Sequence, residues 1–243
     1  MIALLLCAGL GTRLRPLTDT LPKALIPVAG KPLLAHQIER LHQAGCTHLI
    51  INIYHLADQI IQYLADHHFP LTITLSDERP QLLDTGGAIR QAAHLLPPGN
   101  EPLLVHNVDI LHNAPLAPFY AAHRPQHDAT LLTSPRSTTR LLLADAADHL
   151  RAWTNTQTGA LLPPDADKNT LRPHAFAGIH VISRTAIQSM ASWPERFSII
   201  DFYLQRCRTH TIRLQNLSSL RLLDIGKPQT LKQAEDFIRE TSA

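Results

Sequence analysis

The sequence predicts an α/β fold with one mostly parallel, mixed sheet flanked by helices. Short apolar runs alternate with helical stretches through roughly the first 110 residues, an order that calls for a parallel sheet covered on both faces. The first run, residues 2–7, is apolar without a break, as expected of a strand buried on both sides. The loops richest in glycine and polar residues follow directly on strands, where sheets of this class keep their ligands.

Residues 2–7 are the first strand, and the small-residue loop 9–13 comes after it. Residues 32–44 read as a helix. Pro32 suits the first helical position, Leu33, Ile38 and Leu41 supply the apolar face, and Gly45 suits the stop. Residues 48–53 are a second strand and 56–64 an amphipathic helix. Residues 71–75 are a third strand, 86–96 a helix, and 103–106 a fourth strand ending at Asn107-Val108-Asp109. The second half is less regular. Strands are predicted over 129–133, 140–144, 150–153 and 175–182, helices over 198–206 and 227–239, and a short strand over 220–223 ending at Asp224. The stretch 154–173, rich in Thr, Asn, Pro and Asp, reads as a loop or insertion. No repeat is present, including any hexapeptide pattern at the C-terminus.

Composition narrows the function classes. Among 243 residues 44% are hydrophobic and 17% charged, which predicts a packed globular chain. The formal net charge is +2, with no dense Lys/Arg block, so a nucleic-acid partner is not expected. No apolar run is long enough to cross a bilayer. Cys7, Cys46 and Cys207 are odd in number and far apart, which argues against a disulfide framework or a zinc site and for a reducing compartment. The apolar start lacks a basic n-region and is too short for a signal peptide, so a cytoplasmic location is expected. The fifteen histidines are scattered, and His67 and His68, being adjacent, face different ways on a helix and do not share a metal.

The strongest local signal is Leu6-Cys7-Ala8-Gly9-Leu10-Gly11-Thr12-Arg13. Small residues let the backbone approach a phosphate and point its N–H groups at it. Arg13 adds a planar, permanently charged fork. A dinucleotide fingerprint needs a third glycine where Leu14 stands, and a Walker A loop needs a terminal Gly-Lys-Ser/Thr that is missing. Prolines then stiffen Arg15-Pro16 and Pro22-Lys23, and Lys23 arrives as a second cation. Phosphoryl transfer asks for fixed cations of this kind, because it brings like charges together.

With these residues the chain resembles the sugar-1-phosphate nucleotidyltransferases, whose pattern is a GxGTR loop followed by Pro-Lys. Asp84-Thr85-Gly86-Gly87-Ala88 is similar to the family's nucleobase loop, and Val108-Asp109 to its metal-binding strand end. Phe176-Ala177-Gly178-Ile179 is similar to a sugar loop, and Leu223-Asp224-Ile225-Gly226-Lys227-Pro228 to its late Asp-x-Gly-x-Pro. The short length and the Asp-Thr-Gly-Gly form look closest to the compact N-acetylmuramate-1-phosphate uridylyltransferases of cell-wall recycling. The resemblance implies a Rossmann-like fold in one domain, 1–243, with a nucleotide-binding half (1–110) and a sugar-binding half (111–243). It implies transfer of a nucleotidyl group, UTP favoured, to a sugar 1-phosphate with release of pyrophosphate, by direct attack without a protein nucleophile.

The site residues follow from the same resemblance. Leu6, Ala8, Gly9, Gly11, Thr12 and Arg13 would hold the nucleotide, with Arg13 stabilising the leaving group. Lys23 would bind the α-phosphate or the sugar phosphate. Asp109 and Asp224 would hold Mg²⁺. Gly86 and Gly87 would let backbone groups read the base, with Asp84 or Thr85 as a helix cap. Glu78 would touch base or ribose, Asn107 sugar or phosphate, Asn155 a sugar hydroxyl, and Gly178 would lie under the sugar ring. Asp201 orients the sugar pocket or caps its helix, with the structural role favoured. The family's sugar-holding Glu-Lys pair is absent between Trp153 and Phe176, which leaves the sugar open. Neither membrane nor nucleic acid is expected as a partner, and the assembly would be a monomer or small homo-oligomer. Two other readings stand beside this one: a cytidylyltransferase acting on an alcohol phosphate such as phosphocholine, and a regulatory nucleotide-binding subunit without turnover. The second predicts a broken catalytic set, whereas Arg13, Lys23, Asp109 and Asp224 are all present.

Overall fold

The computed structural model describes residues 1–241. The chain runs β1 (Ile2–Leu6), α1 (Leu17–Thr20), β2 (Pro27–Val28), β3 (Lys31–Pro32), α2 (Leu33–Gln43), β4 (His48–Ile53), α3 (Ala57–Asp66), β5 (Thr72–Asp77), α4 (Asp84–Ala92) and β6 (Leu103–Asn107). It continues through β7 (Ile110–His112), α5 (Leu116–Ala121), β8 (Ala129–Ser134), β9 (Arg140–Ala144), β10 (Leu150–Asn155), β11 (Leu161–Leu162) and β12 (Arg172–Ile182). Then come α6 (Arg184–Ser189), α7 (Ile199–Arg206), β13 (Ile212–Asn216), β14 (Leu222–Asp224) and α8 (Pro228–Thr241).

The main sheet has the order β11-β10-β9-β12-β6-β1-β4-β5, with β8 paired to β12 and β13 to β8. β6, β1, β4 and β5 are mutually parallel. β12 runs antiparallel to β6, β8 and β9, so the sheet is mixed as expected. β1 explains why its strand is apolar throughout. Ile2 and Leu4 enter one hydrophobic cluster, while Ala3 and Leu5 enter the other. Ile50 and Leu49, and Val105 and Leu104, divide the same way, so helices cover both faces. No helix among the described residues is long and apolar enough to cross a membrane.

Four expectations need correction. Pro32 is not the first helical residue. It closes the β2–β3 pair opposite Pro27 and precedes α2 as its cap. The segment 154–173 is not structureless, because β10 extends to Asn155, β11 folds back on it, and β12 already begins at Arg172. β7 and α5 follow Asp109 unforeseen, because a three-residue strand and a six-residue helix leave little periodicity. β13, whose Ile212 and Leu214 alternate with polar neighbours, carries a strand pattern that went unread. Gly45 does end α2, at φ 88°, where only glycine is unstrained.

Candidate active site

A cleft of about 310 Å³ opens at the carboxyl ends of β1, β4, β5 and β6. Leu6, Ala8, Gly9, Gly11, Thr12 and Arg13 line it from the first loop. Gly11 has φ 63°, and a Cβ there would sit 2.8 Å from the Thr18 methyl. The Thr18 hydroxyl donates to the Gly11 carbonyl at 2.9 Å, locking the turn. Below it, the Cys7 and Ala8 amides donate to Asn52 Oδ1 at 2.6 and 3.4 Å. The amides of Gly9, Leu10 and Gly11 have no partner among the described residues, so they remain donors for an anion.

Two cations flank this loop. The Lys23 ammonium, nearly buried, is ion-paired with Asp109. Arg13 stays more than half exposed, with Nη2 3.9 Å from Asp224 Oδ1. The guanidinium lies over Gly226, where a Cβ would come within 2.5 Å of it, so the Asp224-Ile225-Gly226 turn is shaped around Arg13. Asp109 and Asp224, distant in sequence, become neighbours through the β7–β14 pair. Asp224 faces Ile110 in register, and the Ile225 amide donates to the Asp109 carbonyl at 2.8 Å.

Asp224 Oδ1 is buried without a hydrogen bond; its distance to Arg13 permits attraction but no hydrogen bond. Among the described residues no group of three or more His, Cys, Asp or Glu gathers as a metal centre. Mg²⁺ does not require one, since one or two carboxylates suffice when phosphates and water complete its shell. Asp109, in the turn before β7, and Asp224, at the end of the paired β14 with an orphaned oxygen, therefore offer the oxygen donors a hard divalent cation takes.

Where the cleft reaches the end of β5, Glu78 is 3% exposed. Its Oε1 accepts from Asn52 Nδ2 at 2.6 Å and its Oε2 from the Leu83 amide at 3.0 Å. Burial is the largest influence on this carboxyl and raises its pKa, against the two hydrogen bonds. Asn52 thus ties the phosphate loop to the segment before α4. It lines the cleft and was missed, although a lone asparagine inside the apolar run 49–53 was a legible signal.

Other expected residues fall elsewhere. The Gly86 and Gly87 amides donate to the Phe197 carbonyl at 2.9 and 3.3 Å, so they are not free to read a base. Their missing side chains make room for the chain at 195–197, because a Cβ would lie 2.3 Å from the Phe197 ring and 2.1 Å from the Glu195 carbonyl oxygen, respectively. Asp84 and Thr85 line the cleft instead. Asp84 Oδ1 accepts the Thr85 amide at 2.6 Å at the start of α4, while the Thr85 hydroxyl accepts the Ile199 amide at the start of α7. Asn107 lines the cleft, and Gly178, at φ 74°, lies behind it, where a Cβ would be 2.8 Å from Asn107 Nδ2. Asn155 lies outside the cleft and turns its Oδ1 to the Gln157 amide at 3.0 Å. Asp201 is exposed in the first turn of α7, away from the cleft.

Comparison with known proteins bears on the family and the fold. The family described as nucleotidyl transferase matches residues 2–140. N-acetylmuramate alpha-1-phosphate uridylyltransferase of Caulobacter vibrioides is 44% identical over 111 residues, 44% of this chain and 45% of that protein. The protein of the same description from Neisseria meningitidis is 47% identical over 112 residues, 46% of this chain and 48% of that protein. The matched stretch therefore spans about half the length of these relatives. Among solved structures, HddC from Yersinia pseudotuberculosis, complexed with GMP-PN, superposes with a TM-score of 0.76 at 20% identity over 97% of this chain and 98% of that one. UDP-glucose pyrophosphorylase from Acinetobacter baumanii gives a TM-score of 0.76 at 17% identity, over 98% of this chain and 93% of that one. At such identities the likeness concerns the fold.

Proposed function

This chain belongs to the nucleotidyl transferase family, and on that premise we propose that it joins a nucleoside triphosphate, UTP favoured, to a sugar 1-phosphate, forming an NDP-sugar and pyrophosphate. The observation that carries the reading is one cleft lined by unpaired loop amides, Arg13, Lys23 and Asp109, with Asp224 at its edge beside Arg13. The identity to uridylyltransferases acting on N-acetylmuramate 1-phosphate supports uracil as the base and that amino sugar as the acceptor, hence a cytoplasmic role in making a cell-wall precursor. The whole chain, 1–243, acts as one domain in this reading, with the triphosphate against 1–110 and the sugar against 111–243.

An oxygen of the sugar phosphate attacks the α-phosphorus of the triphosphate. The bond from that phosphorus to the α,β-bridging oxygen breaks, and pyrophosphate departs with the negative charge. Arg13, exposed at the cleft, stabilises the departing group. Lys23 leaves Asp109 for a phosphate oxygen, so an ion pair within the protein becomes one with substrate. The free amides of Gly9, Leu10 and Gly11 orient the triphosphate. Asp109 and Asp224 would hold Mg²⁺, which neutralises phosphate charge when bound.

Purified protein with Mg²⁺, each common nucleoside triphosphate, and a panel of sugar 1-phosphates plus phosphocholine tests the reading by pyrophosphate release. Release that requires both substrates and is lost in Lys23→Ala supports it. Release with CTP and phosphocholine alone moves the assignment to an alcohol-phosphate cytidylyltransferase. Nucleotide binding without release for any pair overturns the enzymatic reading in favour of a regulatory subunit.

A further inference from the structure

The carbonyls of residues 107–110, the turn that carries Asp109, are each engaged. Asn107 O meets His106 Nδ1 at 2.8 Å, and Asp109 O accepts the Ile225 amide at 2.8 Å. The other two, Val108 O at 3.3 Å and Ile110 O at 2.8 Å, meet one donor, Nε2 of Gln37. Gln37 lies on α2, is 1% exposed, and does not line the cleft. Its nitrogen must face the two carbonyls, because an oxygen there would confront two acceptors. Its own Oε1 is left buried without a partner. An apolar residue of the same shape would leave both carbonyls without this donor, and the unpartnered Oε1 is the cost of keeping it. The arrangement has one evident effect. It clamps the backbone on both sides of Asp109.

We propose that Gln37 is a positioning residue: it holds the Asp109 turn so that the carboxylate exchanges Lys23 for a divalent cation without the strand end moving. This rests on the function proposed above. Gln37 touches neither nucleotide nor cation in this account; it acts through the peptide groups of Val108 and Ile110. Residues that orient a metal-binding group from behind affect cation affinity more than nucleotide affinity, by roughly ten- to a hundredfold.

Two variants, Gln37→Met and Gln37→Leu, fill a similar volume and remove the donor. Leu41→Ala, a buried apolar position on the same helix, controls for loss of packing. The readouts are Mn²⁺ affinity in the presence of UTP by electron paramagnetic resonance, UTP affinity without metal, the melting temperature, and hydrogen exchange over 107–112. The proposal expects Mn²⁺ binding weakened by roughly tenfold or more in both variants, faster exchange over 107–112, and unaltered metal-free UTP affinity. Leu41→Ala should lower the melting temperature and leave Mn²⁺ affinity alone. Unchanged Mn²⁺ affinity in a folded variant, an equal loss in Leu41→Ala, or failure of both variants to fold would overturn it. If the unmutated protein binds no Mn²⁺ with UTP and releases no pyrophosphate, the proposed function itself fails. If it does both and the variants match it, only the role of Gln37 fails.

Discussion

Asn52→Asp is the sharpest perturbation of the cleft's framework. Aspartate keeps Oδ1 as acceptor for the Cys7 and Ala8 amides, so the phosphate loop retains its anchor. The Nδ2 donor to Glu78, 2.6 Å away, becomes a second carboxylate oxygen. Two carboxylates in one buried site hold a shared proton, which raises one of their pKa values strongly. Each unit of that rise costs ~1.4 kcal/mol at a pH above the raised value. The sign follows from proton counting. Between the ordinary carboxyl value of the unfolded chain and the raised value, the folded variant holds a proton that the unfolded chain has lost, so its relative stability rises as pH falls. Measured against the unmutated protein at the same pH, the penalty should be larger at pH 8 than at pH 5, by on the order of 1–2 kcal/mol. Urea unfolding at both pH values reads this directly, with unchanged m-values as the check that the comparison is sound. A penalty equal at both pH values, or absent at pH 8, would refute the buried Asn52–Glu78 contact.

Three further outcomes follow from the same structure. Gly87→Ala places a Cβ 2.1 Å from the Glu195 carbonyl oxygen, a backbone atom that cannot step aside cheaply; about 2–3 kcal/mol, or a melting temperature roughly 5–10 °C lower, is expected by thermal denaturation. Burial depresses His180 to about 3, and neither ring nitrogen has a hydrogen-bond partner. Below about pH 6.5 the unfolded chain takes a proton that the folded one refuses, so stability falls with pH, by ~2 kcal/mol at pH 5; His180→Leu should narrow the difference in melting temperature between pH 7.5 and pH 5, and an equal difference would count against that burial. Asn155→Ala, outside the cleft, should leave turnover and both Michaelis constants as they were in a steady-state pyrophosphate assay.

Much of the first 110 residues was legible because β1, β4 and β6 are buried on both faces and read as nearly unbroken apolar runs. The first motif loop was legible because its glycines and Arg13 follow directly on β1, where this sheet class places its ligands, and Lys23 lies farther along the same connection. The structure also gathers Arg13, Lys23, Asp109 and Asp224 around one cleft, an encounter that no local spacing encodes, since β14 meets β7 only in the folded chain. What sequence reasoning missed are residues whose work is done by contact across the fold. Asn52 and Gln37 look like single polar interruptions of apolar faces, and their partners lie far along the chain. Gly86 and Gly87 answer to a constraint no local pattern shows: the chain at 195–197 packs where their side chains would stand. Asn155 had only an irregular neighbourhood to recommend it, and that neighbourhood is partly a β-hairpin.

The most direct measurement follows the atoms. UTP and N-acetylmuramate 1-phosphate labelled with ¹⁸O on its phosphate would be incubated with the protein and Mg²⁺, and the products weighed by mass spectrometry. The account predicts a UDP-sugar that carries all of the label, unlabelled pyrophosphate, and neither product from Arg13→Ala or Lys23→Ala. Label appearing in pyrophosphate, or no nucleotide sugar while UTP still binds in the cleft, would contradict it.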